Sequence, residues 1–241
     1  MSMDSHYLAV MSAYALATGL WFLLYIMIGK PWDKETYFSF QAPWLDLIYS
    51  VLAIITILGI GQLYVRDMLI PNKDNHYVDA LNQILIFSPT ILLIVLRKQP
   101  TQTIWLPKSN IPLRIIWGLV LALCSVLIYS LIRKDAASFV SIVSNTYHPK
   151  NISHFVQVFM EDITIALLFV RLSEWIGRKW TIGIVAILFA AGHIPSLLSN
   201  GASIDELGNL SIDAAIGIIV LSAVSKSRDV WWCCMVHFAL D

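Results

Sequence analysis

His154 to Leu172 reads HFVQVFMEDITIALLFVRL. The stretch is apolar along most of its length, as a bilayer-crossing helix must be. Two adjacent acids, Glu161 and Asp162, nevertheless sit about two turns inside it. A charge in the middle of a spanning helix costs roughly 2.5–3.5 kcal/mol on insertion scales, so two together need a protein interior or a water-filled cavity to face. At about 100° per residue, His154, Gln157, Glu161, Thr164 and Leu168 fall on one face, and Asp162 points about 100° away from Glu161. The helix therefore predicts an all-α membrane bundle with a polar stripe turned inward.

The rest of the chain agrees. Of 241 residues, 58% are hydrophobic and 13% charged, with a mean hydropathy of +0.71. A soluble domain usually carries about 25% charge, so too little polar surface exists here to cover a water-soluble globule. Sixteen basic residues balance sixteen acidic ones, and nothing points to nucleic acid as a partner. Cys124, Cys233 and Cys234 lie in apolar runs with no zinc or disulfide spacing and read as small core residues. The residues Met1 to Tyr7 contain no lysine or arginine, and no small-residue cleavage site follows the first apolar run. That run is read as a retained helix rather than a cleaved signal. The ending Phe238-Ala239-Leu240-Asp241 is not a lipidation signal.

About eight transmembrane helices are expected. The apolar runs are Leu8–Ile28, Trp44–Val65, Leu81–Leu96 with Pro89 inside, Leu113–Ile132, Phe155–Leu172, Trp180–His193, Ile212–Val224 and the half-length Val230–Asp241. Trp32, Trp44, Trp105, Trp180, Trp231 and Trp232 sit at run ends, as headgroup anchors do. Residues 136–146 are mildly amphipathic and suit the membrane surface. The chain reads as one membrane domain over 1–241, with N-terminal helices in 1–135 and a more polar core in 155–241. Eleven of the sixteen lysines and arginines fall in the odd-numbered loops (Lys30 and Lys34 in the first, for example), and the other five, including Lys73 and Lys134, in even ones. With eight spans this split places the odd loops in the cytoplasm and the termini outside.

Three other segments carry chemistry. The sixth run ends Phe189-Ala190-Ala191-Gly192-His193, the seventh opens near Asp213, and the eighth holds His237 and Asp241 at i and i+4 on one face. With alternating topology, Glu161, His193, His237 and Asp241 all fall in one leaflet. A carboxylate beside an imidazole in a low-dielectric cavity can polarise a water as general base. A second imidazole can donate to an oxyanion, and Asp241 can do so if protonated. Two histidines and two carboxylates are also an acceptable shell for a divalent metal such as zinc, so a metal remains open beside a metal-free mechanism. The eighth run stops at Asp241, which sets a second carboxylate, the chain terminus, beside the cluster. Either the cavity is open to water there or the natural chain is longer. The 18 residues of 194–211, with Gly201 and Gly208, are expected to form a loop that caps or gates the cavity.

At these residues the sequence resembles the CPBP family, the CAAX-protease and bacteriocin-processing or Abi family of intramembrane peptidases. The family pattern is E-E-x-x-x-R, then F-x-x-x-H, then H-x-x-x-N or H-x-x-x-D. Phe189 to His193 matches the second motif and His237 to Asp241 the third, in its aspartate form. Glu161 begins the first, but Asp162 follows it and Ala166 stands at the arginine position. Arg171 lies nine residues from Asp162, roughly 13 Å along the axis, and cannot replace that arginine, which leaves Asp162 without a local partner. The resemblance implies an intramembrane endopeptidase acting on a peptide or membrane-protein substrate within the lipid bilayer. In it, Glu161 and His193 activate a water, and His237 and Asp241 hold the oxyanion or the water. Asp162, His154 and Phe189 would support them.

Bland readings compete residue by residue. A lone histidine in an apolar helix is more often structural than catalytic. Glu161 and Asp162 alone suit an interhelical pair or an ion path as well as catalysis. A non-catalytic scaffold that keeps the fold and a transporter using the buried acids are therefore the alternatives to a peptidase. His6, His76 and His148 are expected to be solvated or interfacial.

Overall fold

The computed structural model of the chain describes residues 5–28, 38–72, 74–133, 136–199, 201 and 208–241. Trp32, Lys30, Lys34, Lys73, Lys134 and residues 202–207 of the expected gating loop lie outside them. The described residues form helices, turns and short 3-10 segments, without a strand. The helices are α1 (Ser5–Met27), α2 (Pro43–Val65), α3 (His76–Leu96), α4 (Ile111–Ile132), α5 (Phe139–Thr146), α6 (Ile152–Ile176), α7 (Arg178–Gly192), α8 (Ile194–Ser199), α9 (Leu210–Ser227) and α10 (Val230–Leu240).

Five of them, α1, α2, α3, α4 and α9, are long and apolar enough to cross a bilayer. Their outer faces expose Leu52, Ile55, Leu92, Ile116 and Leu131, which suits hydrocarbon and not water. The 25 residues of α6 span about 37 Å, but Glu161, Asp162, Arg171 and Glu174 lower its hydropathy. The 15 residues of α7 and the 11 of α10 reach only part of the way across a core of about 30 Å. Residues 136–138 form a 3-10 turn leading into α5, which buries no residue, in keeping with a surface position. The expected loop after His193 begins instead as α8.

Small residues set the tightest contacts, as expected where lipid supplies no hydrophobic drive between helices. Gly118 of α4 faces α10 so closely that a Cβ there would lie 2.7 Å from the Trp232 Cα. Gly217 of α9 meets Ala186 of α7, where a Cβ would lie 3.0 Å from the alanine methyl. Trp232 stacks on Trp21 of α1 with ring centroids 5.7 Å apart.

Polar contacts pin one end of the bundle. Arg114, at the start of α4, donates to Asp229, the N-cap of α10, at 2.8 Å, and both side chains are buried. The amide of Val230 donates to the Trp105 carbonyl at 2.9 Å, and the Trp231 indole to that of Pro107 at 3.0 Å. Asp46 of α2 accepts from Gln99 at 2.7 Å and pairs with Arg97 at 3.3 Å. These contacts fix where α10 starts, and hence where His237 arrives some two turns later.

They also correct the reading of the tryptophans as headgroup anchors. Trp44 and Trp180 are exposed, but Trp105 and Trp232 are buried against Phe169 and Trp21, and Trp231 is half-buried. The Trp231 indole turns inward to the Pro107 carbonyl, and the Trp232 indole donates to the Ser227 hydroxyl at 2.9 Å.

Candidate active site

The long α6 ends at Gly177, whose φ of 78° favours glycine and lets the chain reverse into α7. Near its middle, Asp162 is buried and meets His237 of α10, with the imidazole Nδ1 3.0 Å from the carboxylate Oδ1. The sequence reading left Asp162 without a partner because it searched only the same helix. The partner is 75 positions away and arrives from α10. Arg171 indeed does not serve Asp162: its Nη1 donates to the carbonyls of Thr103 at 3.0 Å and Leu167 at 2.8 Å, and its Nη2 to Gln99. The second carboxylate oxygen, Oδ2, has no conventional donor. The Cys233 thiol, a weak donor, sits beside the Asp162 carboxylate.

Asp162 and His237 line a cavity of about 370 Å³ between α1, α6, α7, α9 and α10. His193, Asp213 and Asp241 line it too, amid apolar side chains such as Ile165, Val220 and Leu221. Phe189 stands between the two imidazoles, edge-on to both, with centroids 5.0 Å from His193 and 6.2 Å from His237. The phenylalanine of the second motif thus spaces the histidines. Leu197 of α8 contributes to the cavity wall.

Glu161 is placed differently. Its carboxylate accepts from Gln157 at 2.9 Å, and it lines a neighbouring pocket of about 220 Å³ together with Thr164, Gly192 and His193. His193 borders both spaces, as do Ile165 and Phe189. No direct hydrogen bond links Glu161 to either histidine among the described residues. Asp241 is half-exposed and lies 3.5 Å from His154 Nε2. That pair stands where the main cavity meets an outer pocket lined by Asn145, Lys150 and Asn151.

Among the described residues no three His, Cys, Asp or Glu side chains are grouped to hold a metal ion. Glu161, His193, His237 and Asp241 as placed do not converge on one point, so no step below is routed through a metal.

Asp213 and Tyr14, both on the cavity wall, lie outside the sequence-predicted site: the sequence offers Asp213 only as an acid near a helix start, and an aromatic such as Tyr14 in an apolar run reads as core.

Residues 151–241 match the family model described as type II CAAX prenyl endopeptidase Rce1-like. The match covers 91 of the chain's 241 residues, and the family it describes is one of membrane-embedded peptidases. With the long apolar helices, this makes the chain an integral, multi-pass membrane protein. The Rce1-like segment covers α6 to α10 and carries Glu161, Asp162, His193, His237 and Asp241. Tyr14 lies outside it. No curated protein and no solved structure matches the chain.

Proposed function

We propose that this protein is an intramembrane endopeptidase of the CAAX-protease type, hydrolysing a peptide bond with a water activated by Glu161 and His193. The observation that carries this reading is the buried Asp162–His237 pair, set with His193 and Asp241 on the wall of one largely apolar cavity. Asp162 fixes the proton on His237 Nδ1, which leaves Nε2 for the cavity. When the ring is doubly protonated, Nε2 donates to an oxyanion. Glu161, held by Gln157, takes the proton from the water as its oxygen attacks the scissile carbonyl carbon. The tetrahedral intermediate then collapses, the carbon–nitrogen bond breaks, and the proton passes to the leaving amine. The apolar wall suits a substrate carrying a lipid chain, so a prenylated C-terminal peptide is proposed ahead of a peptide toxin, a leader or a membrane-protein segment.

The test is proteoliposome hydrolysis of a farnesylated, internally quenched peptide with a C-terminal CAAX sequence. Glu161→Ala and His193→Ala should each abolish turnover while the melting temperature holds. A complementation phenotype that survived both substitutions would show that hydrolysis is not the function. Ala166 at the arginine position is the observation that favours the second reading, a scaffold that keeps the fold without the chemistry. Use of the buried acids for transport would instead give substrate flux across the same vesicles.

A further inference from the structure

The third motif ends here in aspartate. An ionised Asp241 can accept a hydrogen bond but cannot donate one to a developing oxyanion. The other carboxylates on the cavity wall, Asp162 and Asp213, share that limit. The neutral donors left on that wall are a histidine ring N–H and the weak Cys233 thiol, so a hydroxyl donor would add to a short set.

Tyr14 supplies one. It sits on α1, outside the family-matched segment, between turns where Ala13 and Ala17 are fully packed. The ring is more than nine-tenths buried, yet it lines the cavity. No hydrogen bond to its hydroxyl forms among the described residues, and the ring borders the cavity. It shares the cavity wall with Asp162, Asp213 and Asp241. Buried tyrosine hydroxyls usually find a partner, and the space this one faces is the cavity itself.

We infer that Tyr14 is a catalytic residue whose hydroxyl donates a hydrogen bond to the scissile carbonyl oxygen and strengthens it as that oxygen becomes an oxyanion. It acts beside His237 Nε2 and takes the donor role that Asp241 cannot fill when ionised. The inference rests on the peptidase reading and adds to it a residue from the N-terminal helices.

Tyr14→Phe removes one oxygen and keeps the ring. Full-length wild type and variant are compared in proteoliposomes on the same farnesylated, quenched CAAX peptide. Loss of one oxyanion donor lowers kcat by about 100-fold or more. KM should stay within about threefold, because a donor that strengthens only in the transition state leaves ground-state binding nearly unchanged. The melting temperature should be unchanged or higher. If Tyr14→Phe does not fold, fluorotyrosine at position 14 keeps the shape and the hydroxyl and makes it a stronger donor. That protein should turn over with an altered kcat and a shifted pH profile. An active wild type with an equally active Tyr14→Phe, or a fluorotyrosine protein identical to wild type, overturns the role of Tyr14 and leaves the peptidase reading standing. A folded wild type inert towards the peptide overturns the peptidase reading, and the role of Tyr14 with it.

Discussion

The contact between Asp162 and His237 can be tested by changing a single charge. In Asp162→Asn the side chain keeps its shape, and its amide oxygen can still accept from His237 Nδ1, so the ring stays oriented. What is lost is the negative charge 3.0 Å from the imidazole. For a fully ionised pair at that distance and an effective dielectric constant of 20, the gross interaction is about 5 kcal/mol. Most of it is offset by the water each partner gives up, and a hydrogen bond to a charged group nets about 1.5–3 kcal/mol. If that difference falls on the imidazolium that donates to the oxyanion, kcat drops about 10- to 150-fold. The assay is kcat and KM on the farnesylated peptide, with thermal unfolding of Asp162→Asn, His237→Gln and the double variant. The stability coupling between the two positions should be about 1.5 kcal/mol or more. A coupling under about 0.5 kcal/mol means that the residues act independently. That result, or wild-type kcat in Asp162→Asn, would refute the argument that this pair organises the site.

Gly118→Ala should destabilise the protein by about 1–3 kcal/mol, because the new methyl would lie 2.7 Å from the Trp232 Cα and the α10 backbone would have to move. Turnover should fall with it, since α10 carries His237, and an unchanged melting temperature counts against the packing. Restoring the family arginine by Ala166→Arg should lower the melting temperature rather than raise activity. Ala166 has no exposed surface, so the substitution overpacks the core by about 1–3 kcal/mol before any cost of burying charge. A gain in turnover at unchanged stability would show that space for the arginine exists.

The long apolar helices were legible because hydropathy over some 20 residues measures what a bilayer demands. Helix ends were less legible where polar residues face inward. The third run was read from Leu81, yet α3 starts at His76, capped by Asn75. Its first turns carry Asp79, which accepts from the Tyr64 hydroxyl at 2.6 Å, and Asn82, which exchanges hydrogen bonds with the Ile70 backbone at 3.1 and 3.0 Å. Hydropathy counts such residues as solvent-seeking, whereas tertiary contacts satisfy them. In the same way α6 extends from Ile152 to Ile176, beyond Phe155–Leu172 at both ends. Alternating topology put Glu161, His193, His237 and Asp241 in one leaflet, and the last three line one cavity. It could not give the partner of Asp162, the pocket that Glu161 faces, or Tyr14, because each depends on which helices become neighbours.

The choice between enzyme and scaffold turns on how the missing arginine is accommodated. An arginine at i+4 would hold the second acid from within its own helix and leave the α10 histidine uncommitted. Here Ala166 is fully packed, and the acid is held by that histidine. The exchange joins the first and third motifs directly and ties α6 to α10. It also commits one nitrogen of His237. A scaffold would need nothing more from that ring, and leucine at 162 with phenylalanine at 237 could pack the same contact without a buried polar pair. An enzyme needs the other nitrogen turned to substrate, a cavity beside it, and a donor to complete the oxyanion site. His237 lines such a cavity, and so does Tyr14, whose hydroxyl has no hydrogen bond among the described residues. Retaining two polar groups where apolar ones would pack as well is the physical argument for chemistry over scaffolding.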